Sequence, residues 1–197
     1  MQGKVVMDNR STQGQVLDAA ERLFYEHGIR SVGMDELRAA AGVSLKRLYQ
    51  QYGSKDRIVE AFLSRRDDRW RQQLADYVET RTGAEERILA IFDWLGEWFN
   101  EPNFRGCAWI NAYGEVGTVT PAVARLVREH KAAFRDYLAG LVIAADLPAD
   151  LAGELMLLAE GAMVTAGIFA TATPASQAKT AARTLIRAAR ATPSPAG

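Results

Sequence analysis

The chain has 197 residues, 48% hydrophobic and 24% charged, the balance of a soluble globular protein with room for one compact domain or two small ones. A single cysteine excludes an internal disulfide framework and a four-cysteine zinc site. Formal net charge is zero but unevenly spread: residues 1–66 carry a net +3 and residues 67–197 a net −3.

Met1 to Arg10 holds no apolar core longer than Val5-Val6-Met7, so no secretory signal is expected. A first amphipathic helix reads from about Gln13 to Glu26, with Thr12 and Gln15 as a capping box and Val16, Ala20, Leu23 and Phe24 on one face. His27-Gly28 ends it. A short helix follows over Asp35 to Ala41, closed by Gly42. Another is capped by Ser44 and runs to about Gln51. Ser54 caps a long helix from Lys55 to about Val78. Thr82 with Glu85 makes a second capping box, opening a helix to about Asn100. After a Pro/Gly loop, Cys107 to Val116 reads as a short helix, and Thr120-Pro121 opens one to about Ala145. The last two run from Pro148 to about Thr173 and from Thr173-Pro174 to about Arg190, before a disordered tail, 192–197. The longest apolar run, Leu138 to Ala145, is eight residues, too short for a membrane span. The expectation is an all-α protein of about nine helices, in the cytoplasm, with no membrane partner.

The segment from Ser31 to Leu63 carries the chemistry. Two short helices joined at Gly42-Val43 have the length and the glycine of a helix-turn-helix. Leu37, Ala40, Val43 and Leu48 supply its apolar seam. The outer face of the second helix then carries Lys46, Arg47 and Gln50, with Ser44 at its start, all donors for phosphate or base edges. Lys55 stands where a helix N-terminus and a cation together suit a phosphate. Across the 19 residues from Leu37 to Lys55 there are four cations and no acid, which suits contact with a polyanion.

This stretch resembles the TetR-type (TetR/AcrR) transcriptional regulators. The likeness rests on His27-Gly28, Ser31-Val32, Asp35-Glu36-Leu37, Ala40-Ala41-Gly42-Val43-Ser44, Leu48-Tyr49, Tyr52 and Ser54-Lys55-Asp56. Two positions depart from the pattern. Tyr52 replaces a more frequent Phe, harmless where its hydroxyl reaches solvent or phosphate. Lys46-Arg47 replaces a small pair and makes the reading face more basic. The resemblance implies a DNA-binding domain over 1–58 and a ligand-binding and dimerisation domain over 59–191. It implies recognition by Ser44 to Gln50, backbone contacts from Lys55 and Tyr49, and further phosphate contacts from Ser31 and Thr12. It also implies a homodimer on a pseudo-palindromic operator, built through the last two helices. Their small residues (Ala159, Ala162, Ala166, Ala170, Ala178, Ala182 and Ala189, with Leu185) would permit close packing between subunits or within one.

The same resemblance implies a small-molecule effector that releases DNA, most simply from a repressor. Trp98, Trp109, Tyr113, Met156, Glu160 and Met163 are the candidates for an apolar or aromatic effector, and Asn111 and Glu115 share a face of the short helix. Cys107, at a helix start after Arg105-Gly106, is a candidate redox or electrophile sensor, with a small buried side chain as the plain alternative. No metal-ligand cluster, phosphate loop, HExxH, CxxC or GxSxG motif occurs, so no metal or cofactor is expected. A small all-α enzyme and a helical ligand carrier without DNA binding are the rival classes.

Overall fold

Glycine and serine punctuation sets the helix ends from His27 to Lys55 in the computed structural model, which describes the chain from Gln2 to Ala191. Nine α-helices occur among the described residues: α1 (Gln2–His27), α2 (Met34–Ala41), α3 (Leu45–Tyr52), α4 (Lys55–Glu79), α5 (Ala84–Phe99), α6 (Ala108–Ala112), α7 (Pro121–Ala144), α8 (Leu151–Phe169) and α9 (Thr173–Ala191). A π-helical turn, Tyr113–Gly117, follows α6, and no strand occurs among the described residues. The protein is all-α. The tail expected to be disordered lies outside the described residues. Contacts divide the chain into two units. The first holds the chain up to Asp67 with Ala108–Arg128; the second holds Asp68–Cys107 with the chain from Glu129 on.

In the first unit Val16 and Ala20 of α1 are fully buried, as are Leu37 of α2, Leu48 of α3 and Ile58 of α4. Phe24 meets Phe62 with ring centroids 5.9 Å apart. Ion pairs clamp α1 to α4: Arg65 reaches Asp18 at 2.7 Å and Glu21 at 3.0 Å, while Arg66 reaches Glu21 at 2.8 Å. The Arg66 guanidinium also lies over the Tyr25 ring, 4.4 Å from its centroid.

Several sequence expectations shift. The capping box at Thr12 does not form, because α1 already begins at Gln2 and Thr12 is buried in its interior. A Ser or Thr caps a helix only where the chain upstream leaves helical geometry, and residues 4–11 contain no Pro or Gly to force that. The seam of the short pair uses Ala41, which is buried, whereas Ala40 is exposed. The box expected at Thr82 and Glu85 does not form; Gly83 is the N-cap, and only half of a box is present, the Gly83 N–H donating to Glu86 Oε2 at 3.3 Å. The helix expected over 107–116 stops at Ala112 and widens into the π-turn. There Gly117 leaves room for the Tyr113 ring, since a Cβ would come within 2.6 Å of it. Helix α8 is shorter than expected at both ends, and Ala170 in the left-handed region (φ 50°) terminates it.

The second unit is built on aromatic rings. Trp70 of α4 meets Trp94, His130 and Phe134 edge-on, with centroids 5.2, 5.1 and 5.3 Å away. Helix α9 packs on α5 and α8. Its Ala178 and Ala182 are buried there, as are Ala159, Ala162 and Ala166 of α8. These five small residues are therefore spent within the chain, whereas Ala170 is exposed and Leu185 and Ala189 are half-buried. Lys179 of α9 grips both Asp93 oxygens, at 2.6 and 2.7 Å. Helix α8 is long and apolar enough to cross a membrane by length and composition. Its buried side, Leu151, Leu155, Ala159, Ala162, Met163 and Ala166, supplies much of that apolarity to the unit's core.

Candidate nucleic-acid interface

Two local devices aim α3. At the end of α2, Gly42 turns the chain with φ 67°, and the N–H groups of Gly42 and Val43 close on the carbonyls of Ala39 and Arg38 at 3.2 and 3.0 Å. A left-handed residue is what this pair of bonds requires, and glycine adopts it without steric cost. Two residues later Ser44 caps α3, its Oγ accepting the Arg47 N–H at 3.2 Å. Leu48 is then fully buried on the inner side, while Ser44, Lys46, Tyr49 and Gln50 are exposed and Arg47 is half-buried. Eight residues make a rod of about 12 Å, short enough to enter a major groove end-on or along its floor.

A shallow concavity on this face is lined by Ser44, Lys46, Arg47, Gln50 and Gln51. None of the five is acidic. The fourth cation of the segment, Arg38, is paired to Asp35 at 2.8 Å and so contributes less to the field. Ser54 caps α4 by accepting the Arg57 N–H at 3.3 Å, with Lys55 half-buried beside it. Burial holds the Lys55 ammonium below the usual lysine range, opposed by the charges of Asp56 and Glu115. Ser31 is exposed, whereas Thr12 is enclosed within α1.

Sequence reasoning missed the contact that Glu115 makes. Its Oε2 accepts the Arg30 backbone N–H at 3.0 Å, across a separation of 85 residues. A contact of that range leaves no local pattern, and the residue's place near Asn111 pointed instead to a ligand. The Tyr52 hydroxyl reaches neither solvent nor a hydrogen-bond partner; it is buried, and burial pushes its pKa up against the opposing charge of Arg65.

The six effector candidates are split between the units: Trp109 and Tyr113 belong to the first, Trp98, Met156, Glu160 and Met163 to the second. Trp98, Trp109 and Met163 are buried, Met156 is half-buried, and Tyr113 is 47% exposed. The Glu160 carboxylate already has a partner, since Lys131 Nζ lies 2.6 and 2.8 Å from its two oxygens. The same Nζ is 3.3 Å from the Cys107 sulfur, which is buried. Among the described residues no group of three or more metal-ligating side chains occurs.

An all-helical chain whose short, capped, basic helix stands on an apolar turn defines a helix-turn-helix DNA-binding fold. The family profile described as "Bacterial regulatory proteins, tetR family" matches residues 16–62. A TetR-family transcriptional regulator from Streptomyces coelicolor superposes with a TM-score of 0.82 at 26% identity, over 91% of this chain and 96% of that one. A putative TetR-type regulator from Streptomyces avermitilis gives 0.79 at 29% identity, over 91% and 98%. The HTH-type transcriptional activator FasR of Mycolicibacterium smegmatis is 36% identical over 87 residues. That match covers 42% of this chain and only 40% of FasR. Residues 16–62 thus match the DNA-binding part of the TetR family, and over about nine-tenths of its length the chain is similar in fold to solved TetR-type regulators.

Tyr52→Phe removes a buried hydroxyl that has no partner and should leave the ring packing intact. The expected result is a gain of about 1 kcal/mol in unfolding free energy, read as a higher urea midpoint at unchanged slope. A lower midpoint would mean that the hydroxyl is satisfied in solution.

Proposed function

We propose that this protein is a transcriptional regulator that binds double-stranded DNA as a homodimer, with α3 of each subunit in successive major grooves. The observation that carries the reading is the two-sidedness of α3. Its inner side is closed by Leu48, and its outer side offers Lys46, Arg47, Tyr49 and Gln50 with no carboxylate among them. Arg47 and Gln50 have the donor geometry for base edges, while Lys46, Tyr49, Ser44 and Lys55 suit phosphates. Ser31 adds a further phosphate contact, and Thr12, being buried, is left out of this set. Residues 1–58 act as the reading head and 59–191 as the sensing and dimerising part.

The second subunit is proposed to dock on α8. Leu157 (74% exposed), Val164 and Ile168 (71%) form one outward stripe, with Gly153 and Gly161 between and beside them. A Cβ at either glycine would meet nothing within 4 Å. Glycine costs a helix interior up to about 1 kcal/mol relative to alanine, so two on one exposed apolar face favour a surface that another helix approaches closely. The two-fold axis of such a dimer calls for a pseudo-palindromic operator.

The effector is proposed to be a small aromatic molecule in the second unit. A groove of about 450 Å³ runs between α4 and α7, floored by Trp70, Leu74 and Phe134 and rimmed by Asp68, Arg71, Gln72 and Tyr137. Apolar walls with a few polar groups at the mouth suit such a ligand better than the Glu160 region, whose carboxylate Lys131 already holds. Repression by occupying the promoter is the sign we propose. FasR is named an activator, and a promoter–reporter assay with and without the protein decides between the two signs.

Operators recovered from a random duplex pool test the central claim. Replacing Lys46 and Arg47 together by Ala should weaken binding to the recovered duplex by about 100-fold and lower the salt slope by about 2, with helicity unchanged. Unchanged affinity and slope would remove α3 from the interface. Leu157→Glu should convert the protein from dimer to monomer by sedimentation velocity while its circular dichroism stays that of the wild type. A dimer that survives both Leu157→Glu and Ile168→Glu would move the interface elsewhere. Titration with a panel of aromatic compounds should quench tryptophan emission and release the duplex, and Trp70→Phe should blunt the quenching. A panel that alters neither signal would empty the groove of this role.

A further inference from the structure

The connection between α1 and α2, residues 28–33, decides how the helix-turn-helix is carried on α1. Gly28 begins it with φ 85°, and the Gly28 N–H closes back on the Phe24 carbonyl at 3.0 Å. Against this connection sits the Glu115 carboxylate, its Oε2 accepting the Arg30 backbone N–H at 3.0 Å. The fit is close. A Cβ built on Gly28 would fall 2.9 Å from Oε2 and 3.2 Å from Oε1, so the carboxylate occupies the space a side chain at 28 would need. The backbone angle favours glycine there, and any side chain at 28 would have to displace the carboxylate.

The π-turn is what delivers Glu115 to this place. Widening the helix after Ala112 alters the direction in which each following residue projects, and single π-turns recur where a side chain must be re-aimed for function. The charge also reaches the DNA-facing side, since Glu115 acts electrostatically on the half-buried Lys55 at the start of α4. A bond to a backbone N–H from an ionised carboxylate is among the stronger hydrogen bonds, and it fixes backbone, not a side chain that can swing away.

We propose that Glu115 is a positioning residue for DNA binding: its carboxylate fixes the α1–α2 connection and thereby the pose in which α3 is offered to the duplex. The proposal rests on the DNA-binding reading above. Two effects of the side chain are separable. The hydrogen bond needs only an acceptor, which glutamine retains. The negative charge close to Lys55 opposes a phosphate, and glutamine removes it.

The test compares wild type, Glu115→Ala and Glu115→Gln on the duplex that the wild type selects from a random pool, with amide hydrogen exchange on each protein alone. Glu115→Ala should bind about tenfold more weakly with an unchanged salt slope, because a charge-assisted bond is lost while the phosphate contacts stay the same in number. Glu115→Gln should bind as tightly as wild type or more so. In exchange, the Arg30 amide should lose about tenfold protection in Glu115→Ala and keep it in Glu115→Gln, with α5 and α9 unchanged in both. Wild-type affinity in Glu115→Ala, or an Arg30 amide equally protected in wild type and Glu115→Ala, would overturn the proposal. So would a Glu115→Gln protein as weak as Glu115→Ala. Should Glu115→Ala not fold, Gly28→Ala serves in its place, since a methyl there must displace the carboxylate and is expected to produce the same loss at Arg30. A wild type that selects no sequence at all would defeat the DNA-binding reading instead, and the Arg30 exchange would still report whether the carboxylate holds the connection.

Discussion

Burial of Leu48 on α3 together with Leu37 and Ala41 on the adjoining α2, across a turn that only a left-handed residue can make, is the constraint on which the interface depends. An eight-residue helix is too short to be stable by itself; nucleation costs more than so few propagating bonds return. Helix α3 persists because its apolar side is held by α2 and its first turn by Ser44. Its polar side can therefore be composed for contact with no concession to folding. Four of its eight residues, Lys46, Arg47, Gln50 and Gln51, are cationic or amide side chains. Such a composition would not form a helix unaided at this length. Rigid support from beneath is what permits chemistry on top.

The first third of the fold was legible because its signals are local. Gly42, Ser44, Gly53 and Ser54 each act within four residues, and the ends of α2, α3 and α4 fell close to where those residues put them. What escaped was set at longer range. The upstream extent of α1 depends on residues that carry no stop, so a Thr-Gln pair that resembles a cap became interior. The choice between Ala40 and Ala41 for the seam turns on a rotation of one residue, beyond what an Ala-Ala-Ala run specifies. Glu115 finds Arg30 across 85 positions. Small residues in α8 and α9 told of close helix packing correctly, but composition does not say whether the neighbour belongs to the same chain. Ala182 answers that by being fully buried within its own chain.

Helix α8 shows how one sequence can satisfy two surroundings. Its mean hydropathy is that of a membrane span, and a helix apolar all round is ordinarily wholly enclosed. Here roughly one side is core and another stands in water as Leu157, Val164 and Ile168. Scattered apolar residues on a surface carry little meaning, whereas a row at helical spacing is a continuous patch. The chain's zero net charge adds to this: a neutral molecule with an exposed apolar row has little long-range repulsion to keep copies apart.

Helix α8 also meets the loop before Cys107 in an unusual way. Gly106, at φ 83°, lies so close to Gly167 that a Cβ on the latter would stand 3.0 Å from the Gly106 Cα. Two backbones touch there with no side chain between them. A contact made of side chains can absorb a shift by changing rotamers; bare backbone has no such slack. The junction therefore behaves as a rigid weld, not a cushion. Any displacement of the last turn of α8 must be passed whole into the loop that leads to Cys107, or be refused altogether.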